Sequence, residues 1–103
     1  MVHKWTGVRK DLPSATSLAG YRIIQEALTN VIRHSQARSA VVHLHQTEHL
    51  LLIGVADDGP ASHQQGEPGS GLIGIRERAA ALGGVADIGP TQSGFTVHVG
   101  LPL

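Results

Sequence analysis

Apolar residues recur at helical spacing in two segments and at alternate positions in several others, and these changes of period set the order of elements. Taking 100° per residue, Tyr21, Ile24, Ala27, Leu28, Val31, Ile32 and Ser35 fall on one arc of about 140°, which predicts a long amphipathic helix with that arc as its core face. The helix is expected to start near Ser14 or Ser17, either of which can cap free backbone amides. It follows a loop, Gly7 to Pro13, whose proline discourages helix before it. Upstream, Val2 to Thr6 reads as a short first strand. Downstream, Ser39 to Gln46 alternates Val42 and Leu44 against His43 and His45, whereas Leu50 to Asp57 is apolar on both faces. Two strands joined by a short turn are predicted, the second of them central.

Pro60 to Pro68 is polar, bears proline and glycine, and is expected to be a mobile loop. From Leu72 to Leu82 the stripe Leu72, Ile75, Ala79 and Leu82 predicts a second helix, with Gly83 and Gly84 placed to end it. Val85 to Ile88 and Phe95 to Leu101 close the chain as strands. Hairpin-adjacent strands with only two helices predict an α/β two-layer sandwich, a mixed β-sheet with helices packed on one face, over a doubly wound parallel sheet. Residues 1 to 103 read as a single domain without repeats.

Composition narrows the function class. The 103 residues carry eight basic and eight acidic side chains, so there is no electrostatic footprint for nucleic acid or for an anionic membrane. The absence of cysteine excludes a disulfide framework and a thiolate metal site. Trp5, Tyr21 and Phe95 are the only aromatic residues, which leaves the core to aliphatic side chains. No apolar run has signal-peptide or membrane-spanning length, so no direct membrane contact is expected and the chain reads as cytoplasmic.

Three groups of residues could carry chemistry. Glu26, Asn30 and His34 recur every four residues, advance by about 40° each time, and stay on one edge beside the apolar arc. A carboxylate and an amide oxygen one turn apart can serve Mg²⁺, which takes oxygen ligands while keeping waters and contacting substrate phosphates. The same spacing also fits an ordinary solvated flank. Asp57 ends a strand at the sheet rim, where an ionised carboxylate accepts a hydrogen bond from an exocyclic amino group such as that of adenine. Asp58 and Gly59 are explained equally well as a turn.

Gly69, Gly71 and Gly74 precede or open a helix, where free amides and the positive end of the dipole favour anions. Their spacing matches the dinucleotide fingerprint, but Gln64 to Pro68 before them cannot be the buried strand that fingerprint requires. His43, His45 and His98 lie on polar sides of strands and read as solvated rather than as a zinc site. A triad of Ser35, His34 and Asp57 lacks a nucleophile elbow.

Together and in this order, the pieces resemble the catalytic ATP-binding domain of a bacterial sensor histidine kinase, of the subfamily that pairs with NarL-type response regulators. The resemblance runs from about Ala15 to Leu103. Gln25 to Asn30 with Arg33, His34 and Ser35 resembles the N box of that family. Val55 to Gly59 resembles its first glycine box, and Gly69 to Arg78 through Gly83 and Gly84 the second. The stretch from Arg76, Glu77 and Arg78 to Gly84 is characteristic of the subfamily.

The resemblance implies the Bergerat, or GHKL, fold, with ATP and Mg²⁺ as ligands. It would make Asn30 the Mg²⁺ ligand, Glu26 a polarising or base residue near the γ-phosphate, and Arg33 or His34 a phosphate contact. Asp57 would read the adenine amino group and Gly59 would give room beside the base. Gly69, Gly71 and Gly74, with Leu72 among the nucleotide-binding residues of that box, would line the phosphates under a lid formed by residues 60–68.

Two positions depart from the family pattern: Ala61 stands for the second glycine of its D-x-G-x-G motif, and Phe95 for a threonine after Gly94. The phosphoacceptor histidine of the family lies on an upstream dimerisation helix, for which this chain has no room, so the chain reads as a fragment of a longer kinase whose membrane anchoring is a separate matter. The expected partners are that dimerisation domain and a NarL-type response regulator. Two other readings compete: a stand-alone anti-sigma-type serine kinase that binds protein partners, and a degenerate nucleotide-sensing module suggested by Ala61 and Phe95.

Overall fold

In chain order the elements are β1 (Val2–Gly7), α1 (Ser14–His34), β2 (Ala40–Gln46), β3 (Leu50–Asp57), α2 (Ser70–Ala81), β4 (Val85–Pro90) and β5 (Phe95–Pro102). They come from a computed structural model that describes residues 2–7, 12–34, 38–59 and 70–103. The strands form one sheet in the order β1-β2-β3-β5-β4. β1 pairs parallel with β2, while β2 with β3, β3 with β5, and β4 with β5 pair antiparallel. The sheet is therefore mixed, and its central strand is β3, as its double-sided apolar run predicts.

Alternation places one side of every inner strand against the helices. Val42, Leu51, Ile53, Val55, Val97, Val99 and Leu101 join Ile23 and Ala27 of α1 and Ile75 and Ala79 of α2 in one core cluster. The opposite face carries His43, His45, Leu52, Asp87 and His98 in solvent. This is the two-layer sandwich that the sequence predicts.

The core face of α1 differs from the predicted arc. Tyr21 is 63% exposed and Ile32 77% exposed, whereas Ile23 and Ala27 are buried together with Thr16. The buried arc is thus centred roughly 80° from the predicted one. The cause is the second helix. α1 packs against α2 as well as the sheet, so it rolls to carry its Glu26 and Asn30 edge toward the interior and leaves Tyr21 and Ile32 outside. Ser35, placed on the same arc, lies outside the described residues.

The helix ends are well defined. The first turn of α1 closes from Ser17 N to Pro13 O at 2.9 Å, which makes Ser14 the first helical residue. At the end of α2, Gly83 adopts φ of 75°, Gly83 N donates to Ala80 O at 3.0 Å, and Gly84 N donates to Ala79 O at 2.8 Å. This pair of bonds is a Schellman cap, which needs a left-handed residue just past the helix. α2 begins at Ser70, two residues before the predicted start, so Gly71, Leu72 and Gly74 all lie within it.

Candidate functional site

Asn30 of the first group, Asp57 of the second and Leu72 beside the glycines of the third come together at one end of the sheet, where α1 and α2 meet the last residues of β3 and the first of β5. A narrow cleft, with room for about one water in this conformation, is lined there by Ala27, Asn30, Val55, Asp57, Leu72 and Phe95, among others. Its walls are mostly aliphatic and its polar groups are few, the composition expected of a small-molecule pocket.

Asp57 owes its place to strand register. It is 9% exposed at the end of β3 and sits opposite Phe95 in the β3–β5 ladder. Its Oδ1 accepts a hydrogen bond from Gly59 N at 2.8 Å. This bond turns the chain after β3 and fixes the carboxylate. A carboxylate has about four acceptor sites, more than the bond from Gly59 N occupies. Phe95, at the position where threonine was expected, supplies an aromatic wall beside Asp57.

The neighbouring Asp58 has a different task. Its Oδ1 accepts from Arg38 N at 2.8 Å and from Ser39 N at 3.1 Å, and its Oδ2 from Ser39 Oγ at 3.1 Å. The Ser39 and Arg38 backbone bonds hold its carboxyl below the ordinary range. Asp58 thus ties the chain leaving β3 to the chain entering β2, whereas the turn after β3 is made by Asp57 and Gly59.

Glu26 and Asn30 share one edge of α1, and both carry an unmet polar atom. Glu26 Oε2 and Asn30 Nδ2 are buried with no hydrogen-bond partner among the described residues. Leaving such groups unpaired costs free energy, so they mark a place prepared for a polar ligand. The amide of Asn30 can present either its oxygen or its NH₂, since the two are exchanged by a simple flip. This set fits Mg²⁺, which needs only one or two protein oxygens when phosphates and waters complete its shell. Among the described residues no three His, Cys, Asp or Glu gather as a ligand set, and His43, His45 and His98 are exposed on the face of the sheet away from the helices.

The other oxygen of Glu26 is engaged. Oε1 accepts from Arg78 Nη1 at 2.5 Å, in a pair whose side chains are 34% (Arg78) and 26% (Glu26) exposed. The sequence reading missed this partner. The only available signal was the i, i+4 spacing of Gly74 and Arg78, which puts the two on one face of α2.

Gly74 belongs to this pair and not to the mouth of the helix. A Cβ there would lie 2.7 Å from Glu26 Oε2 and 2.8 Å from Arg78 Nη1. Gly74 also sits beyond the first-turn amides of α2, which are the ones free to meet an anion. Gly71 and Leu72 lie in that first turn. Gly69 and the proposed lid at residues 60–68, with Ala61, lie outside the described residues. Arg33 is exposed on α1, and His34 is its last residue.

Residues 16–103 match the family model of the histidine kinase-, DNA gyrase B- and HSP90-like ATPases. The chain is 41% identical over 86 residues to the signal transduction histidine-protein kinase/phosphatase UhpB of Salmonella typhimurium, covering 80% of this chain and 16% of UhpB. It is 38% identical over 92 residues to the sensor histidine kinase YxjM of Bacillus subtilis, covering 88% of this chain and 22% of YxjM. Among solved structures, the histidine kinase domain of the Erythrobacter litoralis EL346 blue-light activated kinase superposes with a TM-score of 0.72 at 24% identity, covering 99% of this chain and 52% of that one. The ATP binding domain of PrrB from Mycobacterium tuberculosis superposes with a TM-score of 0.62 at 21% identity, covering 96% of this chain and 79% of that one.

The chain belongs to the histidine kinase-, DNA gyrase B- and HSP90-like ATPase family, and within it to the catalytic ATP-binding domains of sensor histidine kinases. It spans about a fifth of the length of the relatives it matches. Among the described residues no helix is long and apolar enough to cross a membrane.

Proposed function

We propose that this domain binds Mg·ATP in the cleft between α1, α2 and the β3–β5 end of the sheet, and passes the γ-phosphoryl group to a histidine on the dimerisation domain of a parent kinase. The observation that carries this reading is the pair of buried, unmet polar atoms on α1, Glu26 Oε2 and Asn30 Nδ2, beside a cleft lined by Asn30 and Asp57.

Asp57 is assigned the adenine amino group, with Phe95 and Val55 as apolar walls for the base. Asn30 is assigned the metal edge of the triphosphate, and the first-turn amides of α2, at Gly71 and Leu72, its negative charge. Asn30 would hold Mg²⁺, which would supply charge neutralisation at the phosphates. Glu26 would accept the proton of the attacking imidazole. Catalysis of this kind is positioning and electrostatics rather than covalent chemistry by the protein. A response regulator of NarL type is the proposed downstream partner, favoured by the subfamily-like stretch from Arg76 to Gly84.

The test is a nucleotide titration with and without Mg²⁺. ATP is expected to bind with a preference over GTP and to depend on the metal. Equal affinity for the two nucleotides, or binding indifferent to Mg²⁺, would refute the assignment.

A further inference from the structure

We propose that Arg78 is a positioning residue for Glu26: it holds one carboxylate oxygen and so fixes the Glu26 side chain on the α1–α2 seam beside the nucleotide cleft. This rests on the kinase reading above. Two observations carry it independently. The first is the division of labour within the carboxylate, with Oε1 held at 2.5 Å by Arg78 Nη1 and Oε2 buried without a partner. A free glutamate on a helix surface samples several rotamers, and a charge-assisted bond from a guanidinium on a neighbouring helix removes that freedom.

The second is steric. At Gly74 a side chain of even one carbon would sit 2.7 Å from Glu26 Oε2 and 2.8 Å from Arg78 Nη1. The helix therefore carries a residue of poor helical propensity where the ion pair needs the space.

The two arginines of the Arg76-Glu77-Arg78 stretch separate on this basis. Arg76 Nη1 donates to Ala86 O at 3.5 Å and turns toward β4, away from Glu26. Glu77 faces solvent. Only Arg78 reaches α1. It also couples the helix whose first turn is assigned to the phosphates directly to the residue assigned to the proton, so both would be set by one rigid element.

The experiment is a double-mutant cycle in this domain mixed with the dimerisation domain of its parent kinase, reading ATP affinity and phosphorylation rate separately. Arg78→Met, which keeps the stem and removes the charge, is expected to slow phosphorylation 10- to 100-fold while ATP affinity changes less than threefold. Arg78→Lys should recover part of the rate. In a Glu26→Gln background, Arg78→Met should cost almost nothing more, because its only target is gone. Gly74→Ala should reproduce the rate loss, again with ATP affinity kept.

An Arg78→Met effect of equal size with and without Glu26, or a faster rate in Arg78→Met, would overturn the proposal. So would an Arg78→Lys variant that folds as the parent does yet recovers none of the rate. A parent domain that does not bind ATP at all would instead refute the kinase reading itself.

Discussion

Two carboxylates adjacent in sequence, Asp57 and Asp58, show how burial assigns roles to single residues. Asp57 is nearly enclosed and borders the cleft, whereas Asp58 is exposed and ties two backbone segments. Asp57→Asn should therefore lower the preference for ATP over GTP by roughly ten- to a hundred-fold, the worth of about 1.5–3 kcal/mol for a hydrogen bond to a charged acceptor. Competition binding of the two nucleotides measures it. Asp57→Ala is expected also to lose about 1 kcal/mol of stability, because the bond from Gly59 N goes with it. Asn30→Ala should abolish the Mg²⁺ dependence of ATP binding and leave metal-free binding nearly unchanged. An equal loss with and without metal in the same titration would give Asn30 a structural role.

At the scale of elements, the turns are held by close backbone approach. A Cβ at Gly94 would come within 1.8 Å of Asp57 O, so the β4–β5 hairpin can lie against the end of β3 only because Gly94 has no side chain. Gly94→Ala is expected to destabilise the domain by roughly 1–3 kcal/mol, the cost of forced displacement in packed structure. It should weaken nucleotide binding too, since Asp57 must move. Gly89→Ala meets nothing within 4 Å and serves as the matched control, expected within about 0.5 kcal/mol of wild type in urea melts. The loop joining α1 to β2 should show acid sensitivity through Asp58. Its folded carboxyl is held below its unfolded value, so its stabilising effect is present above the unfolded range and is lost as pH falls through the folded value. Thermal melts of Asp58→Asn should show less decline on acidification below about pH 4 than the parent.

For the whole molecule, ligand linkage gives the most direct readout. Mg·ATP at about a hundred times its dissociation constant should add about 2.7 kcal/mol to stability. For a domain of this size that corresponds to a rise in Tm of roughly 10 to 20 °C. GTP at the same concentration should give a clearly smaller rise. The isolated chain with Mg·ATP is expected to leave all seven of its histidines unlabelled. His43, His45 and His98 stand on the solvent face of the sheet, across the strands from the cleft, where no in-line approach to a bound phosphate exists. Acid-labile label on any histidine, at a rate comparable to that with the dimerisation domain present, would contradict this.

The sequence by itself determined the element order, the mixed two-layer sandwich and the family, because these depend on local period, turn chemistry and short motifs, all of which are written in consecutive residues. It also placed Glu26, Asn30 and Asp57 correctly on an edge and a rim. Tertiary structure decided the rest. The roll of α1 by roughly 80°, which exposes Tyr21 and Ile32 and turns the Glu26 edge inward, depends on where α2 packs, and a single-helix pattern contains no term for a neighbour. Gly74 reads as part of a phosphate loop in one dimension and is found to be the seat of an ion pair. Arg78 and Glu26 are 52 positions apart, and only the packing of α2 on α1 makes them partners. Phe95 became a wall of the cleft through its register opposite Asp57, a consequence of how β5 pairs with β3.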